Sequence, residues 1–201
     1  MNMEGTRIGF GLTGSFCTIP MIFKEIENLC MMGASVMPIV SYHVNSMDTR
    51  FGTAEDTKAR LKEITGHDVI STIDGAEPIG PNQLLDLMIV APCTGNTLAK
   101  MANGITDTPV LMAVKSHLRN DRPVLLCIAS NDSLGVNAKN IGMLLGRKNI
   151  YFVPFGQDGI AVKHCSMQSK FSLLPSAALA ALSRTQLQPL LLSAGECLKG
   201  E

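Results

Sequence analysis

The chain has 201 residues, 46% apolar and 17% charged, which supports a sizeable core and sets it apart from disordered segments. Lys plus Arg and Asp plus Glu both number 17, with no Trp and only two Tyr, so there is no electrostatic footprint for nucleic acid or a membrane surface and few platforms for stacking bases. The opening MNMEGTRIGF lacks a basic region, a long apolar segment and a cleavage site, and the apolar run near 173–192 is broken by prolines and polar residues, so a cytoplasmic protein without a leader or membrane span is expected.

RIGFGL (7–12) reads as a strand running into the Gly-rich turn GFGLTGSFC (9–17). Residues 20–33 have helical spacing, with Pro20 in the first turn and Gly33 as the stop. A second strand covers 34–41, where Pro38 argues for an edge or a local irregularity. Residues 53–65 form a charged, solvated helix; 68–73 reads as a short strand and 74–82 as a turn-rich loop. LLDLMIV (84–90) is a buried strand, followed by a helix over 94–105 whose Leu98, Met101, Ala102 and Ile105 should face the core. A further helix spans about 108–119, exposed, with His117 at the surface or an interface. PVLLCIA (123–129) is a strand, 136–147 a helix, 150–155 another strand and 171–192 a last helix.

This alternation implies a single α/β domain: a three-layer, doubly wound parallel sheet of Rossmann or flavodoxin-like type, with a C-terminal helical extension. The expected division is 1–156 for the nucleotide-binding unit and 157–201 for the extension, packed on the domain or on a partner. Ligands of such sheets bind beyond the carboxyl ends of the strands, here the loops at 13–18, 41–45, 91–97 and 129–135.

Gly9, Gly11 and Gly14 make a formal G-x-G-x-x-G between strand and helix, and Thr13 and Ser15 add hydroxyls suited to a phosphate. The same turn also fits a plain connection with Ser15 or Thr18 as a helix cap. A dinucleotide site wants an acid at the end of the second strand, which here is Ser41-Tyr42-His43; the first acid beyond the first helix is Asp48. A mononucleotide phosphate fits better. The six cysteines (17, 30, 93, 127, 165, 197) form no Cys-x-x-Cys pair and read as reduced thiols, and no two histidines share a helix face, so no metal site is expected. His67 suits a helix C-terminus, while His43 ends a strand on the ligand side.

APCTGNTLAKMANGITD (91–107) resembles the Pro-Ala-Ser-Ala-Asn-Thr signature of the flavoprotein family, which includes flavin-containing cysteine decarboxylases and flavin prenyltransferases. Leu98, Ala99, Lys100, Ala102, Gly104 and Asp107 match the continuation, Thr13-Gly14-Ser15 the phosphate loop, and Ala129-Ser130-Asn131 the segment where decarboxylases carry Ala-Met-Asn. The resemblance implies FMN, with phosphate at Thr13, Gly14 and Ser15 and the ribityl chain or phosphate near Ser41. Pro92, Thr94, Asn96 and Thr97 would edge the isoalloxazine, and Ala129, Ser130 and Asn131 would lie along it. Thr94 or Asn96 can equally cap the following helix, and the two roles are compatible.

Three departures accompany the resemblance. Pro78 stands where decarboxylases carry a histidine, Cys165 in KHCSM does not reproduce their substrate clamp, and Ala129 and Ser130 replace the Arg-Glu pair of the prenyltransferases. More narrowly, NAKNIGMLLGRKNIYFVPFGQD and the tail resemble a subunit of this family from spore-forming bacteria. That branch implies a nicotinamide-binding partner subunit carrying NAD(P), a small dicarboxylate substrate oxidised in the mother cell, and a homo-oligomer, trimeric or higher. Asn96 is the expected catalytic residue, and His43, Lys163 and His164, with Lys170 beside them, are candidates to bind the substrate. A non-catalytic FMN-binding or structural subunit, or a decarboxylase of a cysteinyl substrate, are the alternatives.

Overall fold

The computed structural model describes residues 2–193 and Glu196. Five strands run in the order expected: β1 (Arg7–Leu12), β2 (Ser35–Val40), β3 (Leu87–Cys93), β4 (Val124–Ser130) and β5 (Ile150–Phe152), all parallel. Two short antiparallel strands, β6 (Phe155–Gln157) and β7 (Met167–Ser169), complete a mixed sheet ordered β2-β1-β3-β4-β7-β6, with β5 also beside β4. The stretch 150–155 is therefore not one strand. β5 pairs with the first half of β4 and β7 with its last residues, so Val153 and Pro154 carry the chain between two positions.

Alternate side chains of the buried strands enter two cores. Leu87, Ile89 and Ala91 of β3 face α1 (Ile19–Met31), α3 (Ala54–Thr65) and α8 (Leu174–Leu182), while Met88 and Val90 face α5 (Gly95–Ala102), α6 (Pro109–Leu118) and α7 (Ala138–Leu145). Pro38 sits on edge strand β2. Its missing N–H lies on the outer side, the side on which Val40 bonds the Ile70 carbonyl at 2.9 Å. Residues 68–73 contribute only that Ile39–Ile70 bridge, and Ile73–Ala76 is a short helix, α4.

Four other expectations need correction. Ile105 is 46% exposed rather than core, because α5 ends at Ala102 and the chain turns away at Gly104 (φ 72°). α6 is buried rather than exposed, and His117, at 1% exposure, bonds the Pro123 carbonyl at 3.0 Å. Exposed apolar side chains include Tyr42, Met47 and Phe51, near the short helix α2 (Tyr42–Ser46). The final helix stops at Leu182; beyond it the chain turns at 183–184 and continues without regular structure, and Leu191 bridges Phe155. Cys17, Cys30, Cys93 and Cys165 are free thiols and Cys127 is buried in the core, while Cys197 lies outside the described residues. Among the described residues no cluster suits a metal, and no helix is long and apolar enough to cross a membrane.

Candidate functional site

The cleft lies over the carboxyl ends of β1, β2, β3 and β4. Here the formal G-x-G-x-x-G divides in two. A Cβ on Gly9 would come within 2.4 Å of Leu85 Cδ1, and one on Gly11 within 2.8 Å of Val110 Cγ1, so these glycines let Leu85 and α6 approach the sheet. Gly14 meets nothing closer than 3.6 Å and is the one exposed to the cleft.

Thr13, 2% exposed, ties the turn after β1 to the signature segment. Its Oγ1 donates to the Pro92 carbonyl at 2.6 Å and accepts the Thr94 N–H at 3.1 Å. The Ala91–Pro92 peptide is cis, and the β3–β4 register shifts between Val90 and Cys93. Thr94 caps α5 by accepting the Thr97 N–H at 3.3 Å, with its Oγ1 3.0 Å from Thr97 Oγ1. Ser41 caps α2, accepting the Val44 N–H at 3.5 Å. Neither Ser15 nor Thr18 makes a side-chain cap, and the Thr18 hydroxyl donates back to the Ser15 carbonyl at 2.8 Å.

Two hollows flank this framework and share Gly14 and Thr94. The larger, about 460 Å³, is lined by Thr13, Ser41, His43, Asn96, Thr97 and Lys100, among others. At its mouth Lys100 Nζ meets Asp107 Oδ2 at 2.6 Å. Thr108 and Leu111 close its far side. The smaller, about 250 Å³, takes in Ser15, Ala129, Ser130 and Asn131, with Asp158, Lys163 and Ser166 opposite. Its far wall is fixed by Ser166 Oγ, which donates to Asp158 Oδ1 at 2.5 Å, while Lys163 Nζ lies 3.6 Å from Asp158 Oδ2. Gly95 closes the seam between them: a Cβ there would come within 2.5 Å of Asn137 Nδ2 and 2.6 Å of Ser130 Oγ.

Of the predicted positions, Thr13, Gly14, Ser15, Ser41, Thr94, Asn96, Thr97, Ala129, Ser130 and Asn131 all line one hollow or the other. Pro92 lies beneath, buried, contributing its carbonyl to Thr13. His43 lines the larger hollow and Lys163 the smaller. His164 and Lys170 line neither: His164 accepts from Gln157 Nε2 through its carbonyl at 3.0 Å, and Lys170 Nζ bonds the Glu196 carbonyl at 3.0 Å. Lys100, Asp107 and Asp158 join the site without being expected there. The first two carry a signal in the family motif, whereas Asp158 reaches the site only through the antiparallel pairing of β6 and β7. Cys93 is buried directly under the cleft, and burial pushes its thiol pKa up, so it is no nucleophile.

The family model described as Flavoprotein matches residues 1–165. The B subunit of dipicolinate synthase from Bacillus subtilis is 48% identical over 190 residues, covering 94% of this chain and 95% of that protein. The crystal structure of the corresponding B subunit from Bacillus halodurans superposes with a TM-score of 0.89 at 44% identity, covering 96% of this chain and 99% of that one. The FMN-dependent cysteine decarboxylase SpaF shares the fold alone, with a TM-score of 0.65 at 16% identity over 90% of this chain and 98% of that one. With cleft, fold and sequence in agreement, the chain belongs to the flavoprotein family.

Proposed function

We propose that this chain is the FMN-binding B-type component of a dipicolinate synthase. It would act with a nicotinamide-binding A subunit, which carries the NAD(P), to oxidise a dihydrodipicolinate-type precursor to dipicolinate in the mother cell during sporulation. The observation that carries the FMN assignment is that Gly14 and Thr94 line both hollows, so the two lie side by side along one framework. Their separate volumes of about 460 and 250 Å³ fall in or near the range of ligand pockets, roughly 300–1,000 Å³. The similarity to the Bacillus subtilis relative along nearly its whole length supports the choice of reaction.

The residues fit a flavin mononucleotide. Gly14 offers open backbone, and the hydroxyl of Ser15 has no protein partner among the described residues, which suits a phosphate at the turn with Ser41 beside it. Thr94, Asn96 and Thr97 present polar groups along one edge of a flat ring, and Ala129, Ser130 and Asn131 along the other. Aromatising a dihydropyridine ring removes a hydride equivalent and a proton, and bound FMN would supply the hydride acceptor. Asn96, exposed at the first turn of α5, orients the reacting ring, and His43, across the same cavity, takes the proton. Lys163, held near Asp158, offers its ammonium to a substrate carboxylate. The assembly is a homo-oligomer, trimeric or higher.

A second reading, an FMN-binding component without a catalytic role, is favoured by one observation. Lys100 and Asp107, the charged pair of the larger cavity, are bonded to each other. Turnover of the A subunit with and without this chain separates the readings: the proposal expects oxidation only with both, and full turnover by the A subunit alone overturns it. Decarboxylation loses ground because Pro78 offers no imidazole where decarboxylases of the family carry a histidine.

A further inference from the structure

A third hollow, of about 330 Å³, lies on the other side of Leu111 from the larger cavity and shares only that residue with it. Its floor is apolar: Met101, Leu111 and Val114 are almost fully buried there, and Ile105 lies along its margin. Its rim is cationic. Lys115 and Arg119 stand four residues apart at the end of α6, on one helix face, and Arg147 joins them from the far side. Arg147 is anchored by one bond, Nη1 donating to the Met101 carbonyl at 3.2 Å, near the C-terminus of α5.

Among the described residues, none of these three cations has a carboxylate within 4 Å. Lys24, Arg50, Lys139 and Lys170 likewise have no ion pair among the described residues, but only Lys115, Arg119 and Arg147 stand together around one hollow. Three like charges around one concavity repel each other and gain from an anion placed among them. The buried floor calls for an apolar body behind that anion, which inorganic phosphate lacks. The volume lies at the small end of ligand pockets, roughly 300–1,000 Å³.

We propose that this hollow is a second ligand site, for a small aromatic carboxylate whose ring lies on Met101, Leu111 and Val114 and whose carboxylate is held by Lys115, Arg119 and Arg147. The site stands independently of the flavin reading, since no polar group is common to the two cavities.

The probe is isophthalate, with the uncharged isophthalamide as its isostere, titrated into full-length protein carrying a 13C-labelled Ile105 methyl group. Isophthalate is expected to shift that methyl resonance saturably, and isophthalamide to leave it nearly unmoved. Lys115→Gln/Arg119→Gln should weaken binding about tenfold or more, as loss of a charge-assisted contact does, while FMN uptake stays as in wild type. Arg147→Gln, on another element, should weaken it in the same way. Equal shifts with both probes, no shift at millimolar isophthalate, undiminished binding in both variants, or an Ile105 methyl covered by a second copy of the chain would each overturn the proposal.

Discussion

Thr13 holds the signature segment by its backbone: one hydroxyl donates to the Pro92 carbonyl at 2.6 Å and accepts the Thr94 N–H at 3.1 Å. The turn after β1 and the start of α5 are thus set relative to each other by a single side chain that is 2% exposed. Replacing it by the isosteric Thr13→Val strands the buried Pro92 carbonyl and the half-buried Thr94 N–H, at about 1–3 kcal/mol for a buried unsatisfied group and less for the half-buried one. Urea unfolding should show a loss of about 2 kcal/mol or more, with FMN affinity falling alongside, and Thr13→Ser should recover most of both. Unchanged stability and affinity in Thr13→Val would show that the clamp is idle.

Gly95 stands where the family signature has alanine, and the added methyl has no room. Gly95→Ala drives Cβ against Asn137 Nδ2 and Ser130 Oγ, so those side chains must turn outward, at about 1–3 kcal/mol for overpacking. Since Ser130 lines the smaller hollow, the variant should bind FMN more weakly. Gly95→Ala/Ser130→Gly should recover part of the stability. A thermal melt of the single variant matching wild type would contradict the tight seam.

His117 sets a pH dependence. Burial pushes its pKa down to about 4 from an ordinary 6.5, against the opposing bond to the Pro123 carbonyl. The unfolded chain therefore takes up a proton between those values that the folded chain refuses. Its contribution is fully present above pH 6.5 and is lost as pH falls towards 4, about 2 kcal/mol being gone by pH 5. Glu25, whose pKa burial raises, works in the opposite sense just above its ordinary range, so the informative quantity is the difference between wild type and His117→Gln. That difference should shrink from pH 7 to pH 5; parallel profiles would refute the assignment.

Gln186 covers the free edge of β5. Its Oε1 accepts the Phe152 N–H at 2.8 Å and its Nε2 donates to the Phe152 carbonyl at 2.7 Å, as a neighbouring strand would. Gln186→Leu leaves both groups unpaired and should cost about 1–3 kcal/mol in chemical denaturation. Gln186→Glu, which keeps only the acceptor, should fall between it and wild type.

The parallel core is legible because its strands are short apolar runs bounded by turn residues. RIGFGL is β1 to the residue, and Thr94 caps its helix at the position the sequence indicates. What escapes depends on distant pairing. Met167–Ser169 has no apolar run of its own and becomes a strand only by meeting Ala129 and Ser130 on one side and Phe155–Gln157 on the other. His117 reads as exposed between Lys115 and Arg119, yet its neighbours on the inner face, Ala113 and Val114, carry it beneath the sheet edge to Pro123. In the cleft, residue types at strand ends point to Thr13, Gly14, Thr94, Asn96 and Thr97, which line one hollow. Asp158 cannot be found that way, because it lies in the loop joining β6 to β7, two strands that the sequence pattern does not mark.

The two hollows that meet at Gly14 and Thr94 are expected to receive one flavin mononucleotide. Titration of the purified full-length chain with FMN, followed by removal of free flavin and a visible spectrum, reads this out. One FMN should be retained per chain and be lost in Ser15→Asp, where a second negative charge would meet the phosphate. A wild-type chain that comes through colourless at saturating FMN would contradict that expectation.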